Sequence, residues 1–329
     1  MEREGTLGTV YRDLWWGIHT AGQTEESRNG RVITIQEPVT ATITNPLNNL
    51  LVLPKRNVNS FFHLAEAIWI LAGMQDVEFL EMFNSRYREY SEDNGTVHGA
   101  YGFRWAHHFG FDQVERAIYL LNKDPGSRQV ILGMWDPSAD LVDRPLRDRP
   151  CNTQIMCRVI DGKLGFTVIN RSNDLVWGLA GANVFTLTVV QAVLAHYTGL
   201  ELGPYRVVTN NLHVYPDLLP NFEEIQFEGL HYDTPSLEMF YPDLRGVEYP
   251  EFRMECILLI SYILQGLNPL EVYDFSTPWL RDTVIPLLNA YLKGPGHYQE
   301  RKKLVASSTC SGLSEACWHW LDRREAVAR

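Results

Sequence analysis

Residues 183–198, NVFTLTVVQAVLAHYT, read as a long apolar helix closed by Gly199. A helix apolar on all sides has to be covered on all sides, so other layers must enclose it. A second buried helix is expected over 58–75, with Phe61, Leu64, Ala65, Ile68, Trp69 and Ala72 at helical spacing and one acid, Glu66, among them. The covering layers are read as strands. Residues 32–44 alternate apolar and polar, and 129–135, 155–172 and 205–215 read as further strands, with Asp161-Gly162 as a hairpin turn. Residues 6–20 read as an amphipathic helix, 21–31 as an exposed loop, 91–99 as turn-rich, 111–123 as a helix and 124–128 as a turn. After about residue 236 the chain turns helical, over 251–265, 278–293 and 311–325, with Pro220, Pro235, Pro242 and Pro250 punctuating the junction. The expectation is an α+β body over 1–236 and a helical C-terminal extension over 237–329. No internal repeat interrupts this plan.

A chain of 329 residues buries a sizeable core without disulfides or metals. The net charge of −11 does not suit non-specific grip on long nucleic acid, though it leaves room for a local arginine pocket around one phosphate. Arginines number 23 against 6 lysines, a bias that favours fixed forks for planar anions or reflects a GC-rich genome. The five cysteines form no CxxC pair and no zinc spacing, which points to reduced thiols in a cytoplasm and to no metal. The first residues carry charges and lack a signal-peptide apolar core, and no apolar run is read as approaching the ~20 residues of a membrane span.

Several residues invite a chemical reading beside a plain one. Cys151 follows Arg144, Arg147 and Arg149, and cationic neighbours raise a thiol's nucleophilic fraction; the plain reading is a small core residue. Arg171-Ser172 after a strand suits a phosphate, or is a polar turn. Asn211, His213 and Tyr215 share one face of a strand, which is either solvent-facing or the wall of a sugar-reading cavity. Glu66 is costly to bury unless paired, so it is solvated at a helix edge or functional. Asn183 is a helix N-cap, or an amide that reads a base edge.

Together, Arg28, Glu66, Tyr101-Gly102, Ser127-Arg128, Pro150-Cys151, Arg171-Ser172-x-Asp174, Gly178, Asn183 and His213-x-Tyr215 resemble the thymidylate synthase superfamily across residues 6–236. The resemblance implies a three-layer body with a large mixed sheet at a dimer interface, hence a homodimer with shared active sites. It implies methylenetetrahydrofolate as co-substrate, with no metal, no membrane and no nucleic acid required. Cys151 resembles the nucleophile that adds to C6 of a pyrimidine nucleotide. Glu66 resembles the buried acid that orders water, and Tyr101 the tyrosine that assists removal of the C5 proton. Arg28, Arg171 and Ser172 resemble phosphate ligands, and Arg128 the arginine that reaches the partner's site. His213 and Tyr215 resemble readers of the ribose hydroxyl, Asp174 the pterin carboxylate, and Tyr87 and Tyr90 stand where the family keeps tryptophans over the folate.

The departures bear on subtype. Asn152 replaces the family's histidine after the nucleophile, and Gln129 replaces an arginine. Gly178-Leu179-Ala180-Gly181-Ala182-Asn183 has one residue more than the family loop and no proline. Asn211 replaces an aspartate, and the short closing tail gives way to the helical extension. A wetter site lets water, rather than hydride, attack the methylene intermediate. The pattern therefore resembles the pyrimidine nucleotide hydroxymethylases, most of all the CMP enzyme of antibiotic pathways such as mildiomycin's, with dCMP, dUMP and ordinary thymidylate synthesis as alternatives. Asn183 suits uracil, whose N3 donates and O4 accepts, while the reshaped loop tips the reading towards cytosine. A catalytically dead nucleotide-binding relative is the reading from another class.

Overall fold

The computed structural model describes residues 2–53, 58–218 and 241–328. Helices, in chain order, are α1 (Leu7–Ala21), α2 (Ser60–Ala72), α3 (Glu78–Glu81), α4 (Tyr101–Phe103), α5 (Gln113–Lys123), α6 (Pro137–Asp140), α7 (Asn183–Thr198), α8 (Tyr249–Leu264), α9 (Pro269–Val272), α10 (Ile285–Leu292), α11 (Tyr298–Ser307) and α12 (Ser311–Ala328). Strands are β1 (Glu2–Gly5), β2 (Gln23–Ser27), β3 (Gly30–Ile35), β4 (Val39–Ile43), β5 (Ile131–Gly133), β6 (Asn152–Ile160), β7 (Lys163–Asn170), β8 (Asn173–Asp174), β9 (Glu201–Thr209) and β10 (Leu212–Val214).

The larger sheet runs β1-β4-β9-β7-β6-β5 and mixes parallel with antiparallel pairs. Period-2 alternation sends Leu164, Phe166 and Val168 of β7 to one face, level with Cys157 and Ile155 on β6 and with Tyr205 and Val207 on β9. The α7 helix packs against β7 and β9, and Gln191 donates to the Leu164 and Gly203 carbonyls at 2.8 and 2.9 Å. On its other flanks α7 meets α2 and α5, so its all-round apolarity is matched by all-round cover. The next rung of that face is polar. Asn152, Asn170 and Thr209 sit level across three strands, each almost fully buried. This rung marks the end of the sheet where the site lies. The smaller sheet, β2-β3-β10-β8, brings the β2–β3 turn with Arg28, the β10 residue His213 and the β8 residue Asp174 to that same end.

The expected α+β architecture is present, and α1, α2, α5, α7 and the Asp161-Gly162 hairpin fall where the sequence places them. Four expectations need correcting. Residues 32–44 form two strands, because Gln36–Pro38 break the alternation and each half joins a different sheet. The 21–31 loop contains β2, an edge strand with every side chain exposed, which leaves no apolar periodicity to read. Residues 205–215 likewise split between β9 and β10, which lie in different sheets. Finally, Leu175–Thr198 is by length and composition long and apolar enough to span a membrane. Its apolar window is 94% buried inside the protein, so it is a core segment.

The boundary read at residue 236 lies outside the described residues. Beyond it, α8, α10 and α12 all pack on α2. Tyr291 and Trp320 rings lie 5.5 and 5.6 Å from Phe61, the Tyr291 hydroxyl donates to the Phe83 carbonyl at 2.9 Å, and Arg253 pairs with Asp112 at 2.9 Å. The C-terminal helices therefore help to enclose the helix that carries Glu66.

Candidate active site

Cys151 stands just before β6, on a loop held by two arginines. The Arg28 guanidinium donates to the Leu146 and Arg147 carbonyls at 2.9 and 3.2 Å, and that of Arg171 to the Arg149 and Pro150 carbonyls, both at 2.9 Å. The Arg171 backbone N–H also bonds the Cys151 carbonyl at 3.0 Å, and its Nη2 lies 3.7 Å from Cys151 Sγ. Burial pushes the Cys151 thiol up; Arg171 and Arg28 pull it down, Asp148 and Asp174 push it up, and the balance is upward. This corrects the expectation that Arg144, Arg147 and Arg149 activate the thiol. Arg147 pairs with Asp93 at 2.6 Å, and Arg149 donates to the carbonyls of Asp140, Val142 and Arg144. The cations that bear on the sulfur come from distant turns.

The α2 helix starts on the Asn59 side chain, which accepts from the Phe62 N–H, and ends at Gly73 in the left-handed region. This fixes Glu66 towards Tyr87, whose hydroxyl donates to Glu66 Oε1 at 3.2 Å. Burial raises the Glu66 carboxyl to about 7, against a smaller lowering by that hydrogen bond. Tyr101 is held well above the usual phenol range, first by burial and then by Cys151 and Asp148, and a backbone hydrogen bond joins it to Asn152. Tyr87 meets Tyr90 edge-on at 5.8 Å and Phe62 at 5.6 Å, and Trp177, 46% exposed, lies 5.6 Å from Phe62. These rings form one aromatic wall beside the acid.

Ser172, Asn211 and His213 form a hydrogen-bonded triangle of 3.2, 3.4 and 3.1 Å, and Tyr215 meets the His213 ring edge-on at 5.6 Å. Burial pulls His213 below its ordinary range, so the ring is neutral near pH 7. Asn183 is not the helix cap. It has helical dihedrals, and its Nδ2 reaches Asn173 Oδ1 at 3.5 Å. The lengthened loop before it makes wide helical turns with a kink at Ala180 and Gly181. Asp174 Oδ1 accepts the Val176 and Trp177 N–H groups at 2.6 Å, so it starts that turn as well as facing the site. Arg128 is exposed in the turn before β5 and, among the described residues, takes no part in the contacts that join the others.

One residue of the cluster was missed. Asp148 accepts the Gly99 N–H at 3.0 Å through Oδ2, and its carboxyl is raised by burial despite Arg171 and His98. In the sequence it lies in RPLRDRP, which reads as a solvated charged stretch. A buried ion pair supports it from behind. Arg104 grips Asp140 at 2.8 and 3.0 Å, His98 bonds Asp140 at 2.8 Å, and Arg149 donates to the Asp140 carbonyl.

A thiol, a raised acid, paired arginines and an aromatic wall meet at one sheet end. The thymidylate synthase family pattern matches residues 9–265. The chain belongs to the thymidylate synthase family. It is thus an enzyme of a family of one-carbon transferases acting on pyrimidine nucleotides. It is 34% identical over 321 residues to the deoxyuridylate hydroxymethyltransferase of Pseudomonas phage M6, a match covering 93% of this chain and 89% of that relative. The Bacillus phage SP01 deoxyuridylate hydroxymethyltransferase is 34% identical over 218 residues, 63% of this chain and 57% of that relative. Thymidylate synthase 1 of Bacillus subtilis (strain 168) is 31% identical over 207 residues, covering 60% and 71%. The solved thermostable thymidylate synthase A from Bacillus subtilis superposes with a TM-score of 0.52 at 26% identity, over 62% of this chain and 78% of that one.

Proposed function

We propose that this protein is a folate-dependent pyrimidine nucleotide 5-hydroxymethylase whose substrate is dUMP. The observation that carries the reading is the extent of the likeness to the phage M6 enzyme. A match over 93% of the chain has to include most of the C-terminal helices, whereas thymidylate synthase 1 of Bacillus subtilis matches over 60%. The base is then uracil, rather than the cytosine of CMP or dCMP that the reshaped loop led the sequence to favour. Asn183 supports this. With Nδ2 turned to Asn173, its Oδ1 is left to accept the N3–H of uracil, whereas N3 of cytosine carries no hydrogen. The five cysteines are free thiols, as suits a reducing cytoplasm.

Cys151 Sγ adds to C6, the ring loses its conjugation, and C5 becomes the carbon nucleophile. Arg171 Nη2 stabilises the sulfur as it gains charge. Glu66, with its carboxyl at about 7, exchanges protons with the ring edge near neutral pH. Tyr101, neutral and next to the thiol, hands on the C5 proton. Arg28, Arg171 and Ser172 hold the phosphate, while His213 and Tyr215 face the sugar. Bound methylenetetrahydrofolate supplies the one-carbon unit. The wall of Tyr87, Tyr90, Phe62 and exposed Trp177 fits its flat pterin, and Asp174 at the foot of that wall fits the pterin's N–H groups. The protein acts as a homodimer, with Arg128 completing the partner's phosphate site. The C-terminal helices over 237–329 serve as an extension that braces α2.

The test is turnover of dUMP, UMP, dCMP and CMP with methylenetetrahydrofolate, followed by product mass. Hydroxymethyl-dUMP with tetrahydrofolate is expected. A rise in dihydrofolate absorbance with dTMP would overturn the hydroxymethyl reading, and preferential turnover of a cytidylate would overturn the base. Cys151→Ala is expected to abolish exchange of the C5 hydrogen, and exchange that survives would remove Cys151 as nucleophile.

A further inference from the structure

We propose that Asp148 is the general base for the hydroxylating water, taking its proton as the oxygen attacks the exocyclic methylene. This deepens the hydroxymethylase reading and rests on it. Three observations carry it. The first is how the loop is held. Arg28 and Arg171 take the carbonyls of residues 146, 147, 149 and 150, so the backbone on both sides of Asp148 is pinned. Four guanidinium bonds make Asp148 a fixed group rather than a surface carboxylate.

The second is the seat. Gly99 donates its N–H to Asp148 Oδ2 at 3.0 Å. A Cβ on residue 99 would lie 2.3 Å from that oxygen and 2.8 Å from the Pro150 nitrogen. Glycine is therefore needed at 99 for the carboxylate to come this close. Among the described residues Asp148 forms no direct ion pair, and burial outweighs the pull of Arg171 and His98 on its carboxyl.

The third is what the carboxylate faces. The carboxylate rests on Gly99, two residues before Tyr101, and lies three residues before Cys151, whose thiol it pushes up. Glu66 bonds Tyr87 instead. The methylene carbon sits on C5, next to the C6 that carries the sulfur, so a base close to the sulfur is close to that carbon.

The step balances without an oxidant or reductant. The water oxygen bonds to the methylene carbon, and the C5=CH2 electron pair moves into the ring towards O4. The water proton goes to Asp148. The ring then regains its C5=C6 bond by expelling Cys151 Sγ, which recovers a proton from Asp148. The tetrahydrofolate has already left unoxidised.

The experiment is a single turnover of the full chain with [5-³H]dUMP and methylenetetrahydrofolate, comparing wild type with Asp148→Asn. General base catalysis is worth about 10²–10⁴-fold. The variant should release tritium within about threefold of wild type, yet form hydroxymethyl nucleotide at least about 100-fold more slowly. A Cys151-linked methylene adduct should appear by mass, and added 2-mercaptoethanol should capture it. A parallel fall in tritium release and product would assign Asp148 a structural or binding role and overturn the proposal, as would undiminished product. Asp148→Ala gives an independent arm, in which formate should restore the product without changing tritium release; no rescue counts against the proposal. If wild type itself yields dTMP and dihydrofolate, it is the hydroxymethylase reading that has failed.

Discussion

Glu66 carries a stability signature that separates a buried acid from a solvated one. Its carboxyl rises from 4.5 to about 7, chiefly by burial, so the folded protein prefers the protonated form. That preference is fully present below about pH 4.5 and is lost as the pH climbs through about 7. Glu66→Gln removes the titration. The variant should match wild type at pH 4 and be the more stable at pH 8, by no more than about 3 kcal/mol, since one pKa unit is worth about 1.4 kcal/mol and the pocket retains some solvent. Denaturant unfolding at pH 4, 6 and 8 measures this, and a pH-independent difference would mean that Glu66 titrates as an ordinary surface acid. The same substitution should lower turnover by about 10²–10⁴-fold. Glu66 was legible in the sequence because an acid inside an apolar helix breaks a pattern. Asp148 was not, because it breaks none, and its burial depends on Gly99, 49 residues away.

At the scale of elements, legibility followed periodicity. The α2 and α7 helices and the β6–β7 hairpin bury one pattern each, and the sequence carries that pattern locally. The β2 strand is invisible because its partner β3 supplies all its stabilisation while its own side chains stay in water. The turn between β8 and α7 shows the same limit. Gly178 is needed because a Cβ there would lie 2.2 Å from Asn173 Oδ1 and 3.3 Å from Asn183 Nδ2. Gly178→Ala should therefore push the Asn173–Asn183 pair apart, cost about 1–3 kcal/mol of stability and weaken nucleotide affinity about tenfold or more. Calorimetric titration with dUMP and thermal melts check both, and an unchanged affinity would mean that Asn183 does not read the base. Behind the Cys151 loop, Arg104 and Asp140 are each 1% exposed and bidentate. Burial raises the Asp140 carboxyl, but bonds from Arg104, the Asp136 N–H and His98 outweigh it and hold it below its usual range. Asp140→Ala strands the arginine's charge and should cost about 3–5 kcal/mol in unfolding free energy. A loss under about 1 kcal/mol would mean that the pair is a passive contact.

At the scale of the whole molecule, the large sheet has a face that, among the described residues, the core does not use. Opposite Leu164, Phe166 and Val168 it presents Met156, Ile169 and Val208 half-buried, and Ile131 stands on β5 with 48% of its surface exposed. Pairing of two copies through this face would cover it and would carry the exposed Arg128, three residues before Ile131, towards a second site. The proposed phosphate site has a reason to want it. Arg28 and Arg171 already donate to loop carbonyls, so part of their hydrogen-bonding capacity is committed before any nucleotide arrives. In the proposed dimer a guanidinium from the partner would add donors to those of Arg28 and Arg171. Arg128→Ala should therefore raise the KM for nucleotide about tenfold or more, as loss of a charge-assisted hydrogen bond does. The decisive measurement mixes Arg128→Ala with inactive Cys151→Ala and allows the subunits to exchange. In a mixed C2 dimer, one site combines an intact Cys151 with the partner's intact Arg128 and the other has neither. Half the dimers mix and half their sites are whole, so at nucleotide well below KM, where Arg128→Ala keeps about a tenth of the rate, activity should recover to about a quarter of wild type, against about a twentieth without subunit exchange. Activity that stays at the mean of the two variants would place Arg128 in its own subunit's site or in none.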